Sequence, residues 1–130
     1  IRQHASSYLE SAEIEGFFNF PREIESLHMS SELRRNLFLT VKEAFHNIVK
    51  HSGAGKVHMS LYADNGRLGI TIEDDGVGFN IGQVNSWGNG LSNMHKRIEE
   101  LGGIFSIDSA VGRGTLIEFS VKLPQKDNSH

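Results

Sequence analysis

Residues 56–79, KVHMSLYADNGRLGITIEDDGVGF, decide the fold. Val57, Met59 and Leu61 alternate with His58, Ser60 and Tyr62, the two-residue period of a strand with one buried face. Asp64-Asn65-Gly66 supplies the residues of a tight turn, and Leu68, Ile70 and Ile72 resume the alternation on a return strand. The hairpin runs straight into Glu73-Asp74-Asp75-Gly76-Val77-Gly78-Phe79, an acidic turn with glycines two apart.

Upstream of Gly53 the period is helical instead. From Ser31 to His51 there is no Pro or Gly, and Ser30 or Ser31 suits an N-cap. Leu33, Leu37, Val41, Ala44, Phe45 and Ile48 form a single apolar stripe for burial. Earlier still, residues 2–13 place Ala5, Tyr8, Leu9 and Ala12 at helical spacing, and residues 14–20 form an aromatic-rich strand that stops at Pro21. Downstream, Leu91, Met94, Ile98 and Leu101 mark a helix ended by Gly102-Gly103. Ile104–Ser109 and Thr115–Leu123 are two strands joined by a turn at Val111–Gly114. The expected fold class is α+β, with a mixed, mostly antiparallel sheet carrying helices on one face.

The composition bounds the chemistry. A chain of 130 residues is one domain's worth, read here as residues 1–124 with a flexible polar tail at 125–130. Thirteen basic against sixteen acidic residues give a net charge of −3, which argues against a surface built for nucleic acid. Without cysteine there is no disulfide, thiolate chemistry or zinc–thiolate site. No apolar run reaches the roughly 20 residues that span a bilayer. The chain opens on Ile1 without a signal-peptide pattern and is read as a piece of a longer protein.

Thirteen of the fourteen glycines lie from Gly53 onward, most in close pairs, and three of these pairs together with one helix face make four features. On an ideal helix Glu43, Asn47 and Lys50 fall within an arc of about 60°, with His51 beside it. Asp74, Gly76 and Gly78 form a DxGxG turn, whose acid is able to accept a hydrogen bond from an amino group and whose glycines allow close approach. Gly88-Asn89-Gly90 precedes a helix N-terminus, a natural phosphate site. Gly112-Arg113-Gly114-Thr115 opens the last strand. Each feature alone is an ordinary solvated face or turn. Together and in this order they are not accounted for by turns.

That order (an Asn/Lys/His helix face, DxGxG, then GxGL ending at Leu91, then GxGT) resembles the ATP-binding fold shared by sensor histidine kinases, type II topoisomerases, the ninety-kilodalton heat-shock chaperones and mismatch-repair ATPases. Residues 43–52, EAFHNIVKHS, resemble the N box of histidine kinases, and residues 89–98, NGLSNMHKRI, resemble the short-lid class paired with NarL-type response regulators. The resemblance implies a two-layer α/β sandwich of the Bergerat ATP-binding type. It also implies that this is a catalytic domain using ATP and Mg²⁺.

Residue by residue, it implies Asn47 as the Mg²⁺ ligand, Glu43 orienting a metal-bound water, and Lys50 and His51 facing the phosphates. Asp74 would accept from the adenine 6-amino group, with Gly76 and Gly78 allowing the base to approach and Phe79 lining the pocket. Residues 80–89 would form the lid, with Gly88 and Gly90 as hinge and phosphate contact and Trp87 inside it. Thr115 would close the adenine site, supported by Gly112 and Gly114. A separate Phe-rich box is missing, as expected of the short-lid class.

None of the seven histidines has an acceptor-like context: His4, His28, His46, His51, His58, His95 and His130 lie in helices, loops or at the surface. The phosphoacceptor is therefore expected on a dimerisation domain outside this chain, and a response regulator receiver domain is the expected further partner. The fragment is expected to be a monomer, the whole protein a homodimer, and the domain the cytoplasmic part of a membrane-bound sensor kinase. The competing readings are an anti-sigma-type serine kinase on the same fold, and a degenerate nucleotide- or protein-binding module without transfer.

Overall fold

A computed structural model describes residues 2–22, 24, 27, 29–78 and 90–123. In chain order the elements are α1 (Arg2–Ser11), β1 (Glu15–Asn19), α2 (Ser31–Asn47), a single π turn (Ile48–Ser52), β2 (Lys56–Asp64), β3 (Arg67–Asp74), α3 (Gly90–Glu100), β4 (Ile104–Ala110) and β5 (Gly114–Lys122). The five strands form one sheet in the order β1-β2-β3-β5-β4. β1 lies parallel to β2, and every other pairing is antiparallel. The mixed, mostly antiparallel α+β architecture expected from the sequence is the one observed. The tail at 125–130 lies outside the described residues.

The core forms where the alternating strands meet the helical stripe. Val57, Met59 and Leu61 of β2 and Leu68, Ile70 and Ile72 of β3 are buried together with Leu33, Leu37, Val41, Ala44, Phe45 and Ile48 of the α2 segment. Ala5 and Leu9 of α1 and Leu91, Met94 and Ile98 of α3 complete the same cluster. On the opposite face of the sheet Phe17 and Tyr62 are exposed among the described residues.

Local chemistry sets the element ends. Ser30 caps α2 by accepting the Leu33 N–H at 3.1 Å. At the end of α3, Gly103 N–H donates to Ile98 O and Gly102 N–H to Glu99 O, both at 2.9 Å, with Gly102 left-handed at φ 75°. This is the Schellman arrangement, so the Gly102-Gly103 stop acts as the sequence suggested. α1 ends in the same pattern, with Ile14 N–H donating to Leu9 O and Glu13 N–H to Glu10 O. There the left-handed position is held by Glu13, at φ 61°.

One boundary differs from expectation. The α-helical phase holds from Ser31 only to Asn47, and the last turn widens to π before Gly53 ends it at φ 64°. The wider turn takes Lys50 and His51 off the 100° phase on which the shared arc with Glu43 and Asn47 was reckoned.

Candidate nucleotide-binding site

One row of the sheet breaks its apolar pattern. On the helix-covered face, register sets Leu61, Ile70, Phe119 and Phe105 side by side across β2, β3, β5 and β4, and the next row reads Met59, Ile72, Ile117 and Ile107. The row after that reads Val57, Asp74, Thr115 and Ser109. Three polar side chains thus stand in line at the end of an oily face, only 4%, 3% and 8% exposed respectively. Buried polar groups need partners or a purpose.

Their partners are specific. Gly76 N–H donates to Asp74 Oδ1 at 2.8 Å. Ser109 Oγ donates to Gly114 O at 3.0 Å and lies 2.8 Å from Thr115 Oγ1. Burial pushes the Asp74 carboxyl above its ordinary range, and the nearby acids Asp75 and Glu73 add to this, while the Gly76 and Thr115 N–H groups pull the other way. An ionised carboxylate here is a buried acceptor with no cation paired to it among the described residues, suited to a neutral N–H donor such as an exocyclic amino group.

Three turns are stitched around that row. Gly112 N–H donates to Val77 O at 2.7 Å. Gly78 is left-handed at φ 66°, and a Cβ there would strike Ala110 O; Gly114, at φ 79°, would strike Asp74 O. Both glycines are required by chain meeting chain, which for Gly78 is a closer constraint than the ligand approach expected from sequence. Gly112 is also left-handed, at φ 86°, but faces open space. Asp75 binds the third turn: its Oδ1 accepts from the N–H groups of both Gly55 and Lys56 at 2.9 Å. Those bonds, the Lys56 N–H foremost, hold the Asp75 carboxyl below its usual range. The exit of the π turn, the DxGxG turn and the β4–β5 turn are therefore joined by hydrogen bonds and backbone contact.

Asn47 ends α2, just ahead of the π turn. It is 3% exposed, and its Nδ2 finds no partner among the described residues. Thr40, also buried in α2, is satisfied within the helix by Asn36 O at 2.9 Å. Asn47 thus carries a buried amide N–H group with no partner among the described residues, which the packing of the core does not explain. Glu43, one turn earlier, is half-buried and lines a cleft of about 300 Å³ between α2 and α3 with Leu39, Lys42, His46 and Arg97. Lys50 is exposed. Gly90 opens α3 and Leu91 is buried in the core. Phe79, Trp87, Gly88 and the side chain of His51 lie outside the described residues. Sequence reasoning missed Ser109 and Asp75, although the phase of Phe105, Ile107 and Ser109 on β4 already put a hydroxyl on the buried face.

Residues 32–126 match the model of the histidine kinase-, DNA gyrase B- and HSP90-like ATPases. The chain belongs to that family. The polar row, the orphaned amide and the stitched turns all fall within the matched segment of this ATPase-family chain. The chain is 37% identical over 102 residues to the sensor histidine kinase LiaS of Bacillus subtilis, covering 78% of this chain and 28% of that protein. It is 34% identical over 107 residues to the sensor protein VraS of Staphylococcus epidermidis, covering 82% and 31%. The chain therefore spans about three-tenths of the length of these curated relatives. Among solved structures it superposes on the histidine kinase domain of a blue-light activated kinase from Erythrobacter litoralis EL346 with a TM-score of 0.78 at 20% identity, covering 94% of this chain and 58% of that one. On the catalytic domain of the histidine kinase ThkA the TM-score is 0.74 at 16% identity, covering 93% and 88%. At such identities these structures speak for the fold.

The residues present also fit a magnesium ion. Among the described residues no three His, Asp or Glu side chains gather into a metal cage. The donor set is instead one buried amide, Asn47, whose nitrogen lacks a partner among the described residues and whose oxygen and nitrogen are interchangeable by a flip. A hard cation that keeps several waters and takes its remaining ligands from phosphates needs no more than this.

Proposed function

We propose that residues 1–124 bind Mg·ATP and donate its γ-phosphate to a histidine on a dimerisation domain of the same protein, for relay to an aspartate of a response regulator receiver domain. The observation that carries the nucleotide reading is Asp74, a carboxyl group buried at the end of an apolar face and held there by the Gly76 N–H. The similarity to LiaS and VraS supports the kinase half of the reading.

In this reading Asp74 accepts from the adenine 6-amino group, which selects ATP over a base with a 6-oxo group. Thr115 closes the same edge of the base. Asn47 holds Mg²⁺, which when bound neutralises phosphate charge. Glu43 orients a water near the metal, and Lys50 and His51 face the phosphate tail. Gly88 and Gly90 serve as hinge and phosphate contact, and the N-terminal N–H groups of α3, which opens at Gly90, favour an anion. The acceptor imidazole nitrogen then attacks the γ-phosphorus, the bond to ADP breaks, and the chain's task is positioning and charge balance. The isolated domain is a monomer, and the whole protein dimerises through helices beyond this chain and works on the cytoplasmic side of a membrane-bound sensor. No helix among the described residues is long and apolar enough to cross a membrane.

The test supplies labelled ATP, this chain and a histidine-bearing dimerisation domain. Label on the partner that is lost in acid and stable in base is the expected result. Acid-stable label indicates a serine kinase, and nucleotide binding without transfer to any histidine domain of its own protein indicates a degenerate module; either contradicts the proposal.

A further inference from the structure

The polar row contains one group that the proposed function leaves without a task. Ser109 is buried, sits on β4 two strands from Asp74, and is set directly across from Thr115 in the β4–β5 register. Its hydroxyl has a single proton. Gly114 O, 3.0 Å away, is a carbonyl and accepts only, so that contact takes the Ser109 proton. The 2.8 Å contact between Ser109 Oγ and Thr115 Oγ1 must then be carried by the proton of Thr115. With its only proton turned toward Ser109, Thr115 Oγ1 has nothing but lone pairs left for a ligand.

We infer that Ser109 is a specificity-determining positioning residue: by taking the Thr115 proton it fixes that hydroxyl as an acceptor beside the Asp74 carboxylate. The base edge is then met by two acceptors on adjacent strands, since Asp74 and Thr115 are also register partners. A 6-amino group satisfies such an edge. A 6-oxo group, itself an acceptor, pairs with neither, so a 6-oxo base has only its N1–H to offer two acceptors, and buried unpaired acceptors are what make a polar site selective. Gly114 matters to the same device, because its carbonyl commits the Ser109 proton while its left-handed backbone brings β5 against Asp74 O. The inference rests on the adenine reading of the row given above.

The experiment compares ATP with ITP, in which a 6-oxo group and an N1–H replace the 6-amino group and the bare N1, by calorimetric titration of the wild-type chain, Ser109→Ala, Thr115→Val and the double variant. Melting curves without nucleotide establish that each is folded. In Ser109→Ala the Thr115 proton is released and the hydroxyl is able to donate, so the ATP-over-ITP preference is expected to fall about three- to tenfold, the worth of one neutral hydrogen bond. The fall should come mainly from tighter ITP binding. In the Thr115→Val background Ser109→Ala should leave the preference unchanged, because there is no hydroxyl to orient; a merely structural Ser109 would alter affinity in both backgrounds alike. Ser109→Thr, which retains the hydroxyl, should keep the wild-type preference. An unchanged preference in folded Ser109→Ala, or an equal change in both backgrounds, overturns the role of Ser109 alone. A wild-type chain that binds neither nucleotide, or both equally, overturns the adenine reading and this inference with it.

Discussion

Replacing Asn47 by alanine should make the nucleotide-free domain more stable while removing its response to magnesium. Asn47 is 3% exposed and its Nδ2 has no partner among the described residues, and a buried donor left without an acceptor costs about 1–3 kcal/mol. Alanine also favours the last α-helical turn of α2 by roughly half a kcal/mol over asparagine. Against these stands the packing lost with the amide group, about 1 kcal/mol on the scale of one buried methylene. The net is a gain of about 0.5–2.5 kcal/mol. For a domain of this size that raises the melting temperature by roughly 2–10 °C. The assay is a set of thermal melts with and without ATP, each with and without Mg²⁺. Ligand at a hundred times its dissociation constant stabilises by about 2.7 kcal/mol. The wild-type chain should gain on that scale with Mg·ATP and less with ATP alone, and the variant should show no difference between the two. A variant less stable than wild type in the absence of nucleotide would mean the amide is satisfied and structural. A retained magnesium-dependent gain would mean that Asn47 is not the ligand.

Three further outcomes follow from the geometry. Because burial raises the Asp74 pKa above its unfolded value, the native state holds that proton more tightly, so the Asp74 contribution makes stability fall as pH rises from the ordinary carboxylate range through the raised value. ATP affinity should rise across the same window as the carboxylate ionises, and Asp74→Asn should flatten both profiles when melts and titrations are run from about pH 4 to 7. Glu13→Gly should stabilise the fold by about 1 kcal/mol in denaturant titrations, because it relieves a left-handed non-glycine residue at the end of α1. Gly114→Ala should destabilise by about 2 kcal/mol or more, since the new Cβ is both left-handed and set against Asp74 O, and the loss is read in the same titrations.

Much of this fold was legible because it is local. The α2 stripe, the β2–β3 hairpin with its Asp64-Asn65-Gly66 turn and the Gly102-Gly103 stop each depend on a short window of sequence. The sheet order was less accessible. β5 inserts between β3 and β4, and β1 pairs in parallel with β2 across the whole of α2. Such pairings are chosen by which apolar faces fit together, and no short motif states them. The π turn escaped notice because nothing in Ile48–Ser52 opposes a continued α-helix; the left-handed exit at Gly53 and the bonds from Gly55 and Lys56 to Asp75 act at a distance. The DxGxG and GxGT stretches were visible as motifs, but the reason for Gly78 and Gly114 was not. Only the assembled sheet shows backbone carbonyls where their side chains would stand. Ser109 was hidden for the same reason: its significance lies in its register with Thr115 and Asp74, which is a property of three strands together.

The central claim is that the row from Asp74 to Thr115 receives an adenine base. Its most direct test is calorimetric titration of ATP with Mg²⁺ into the wild-type chain and into Asp74→Asn, with melting curves to establish that both are folded. The account expects saturable binding at one site in the wild type and a loss of at least tenfold in the variant, whose amide offers a donor to the amino group where a carboxylate was. Equal affinity in the two folded proteins, or no heat of binding in the wild type, would contradict it.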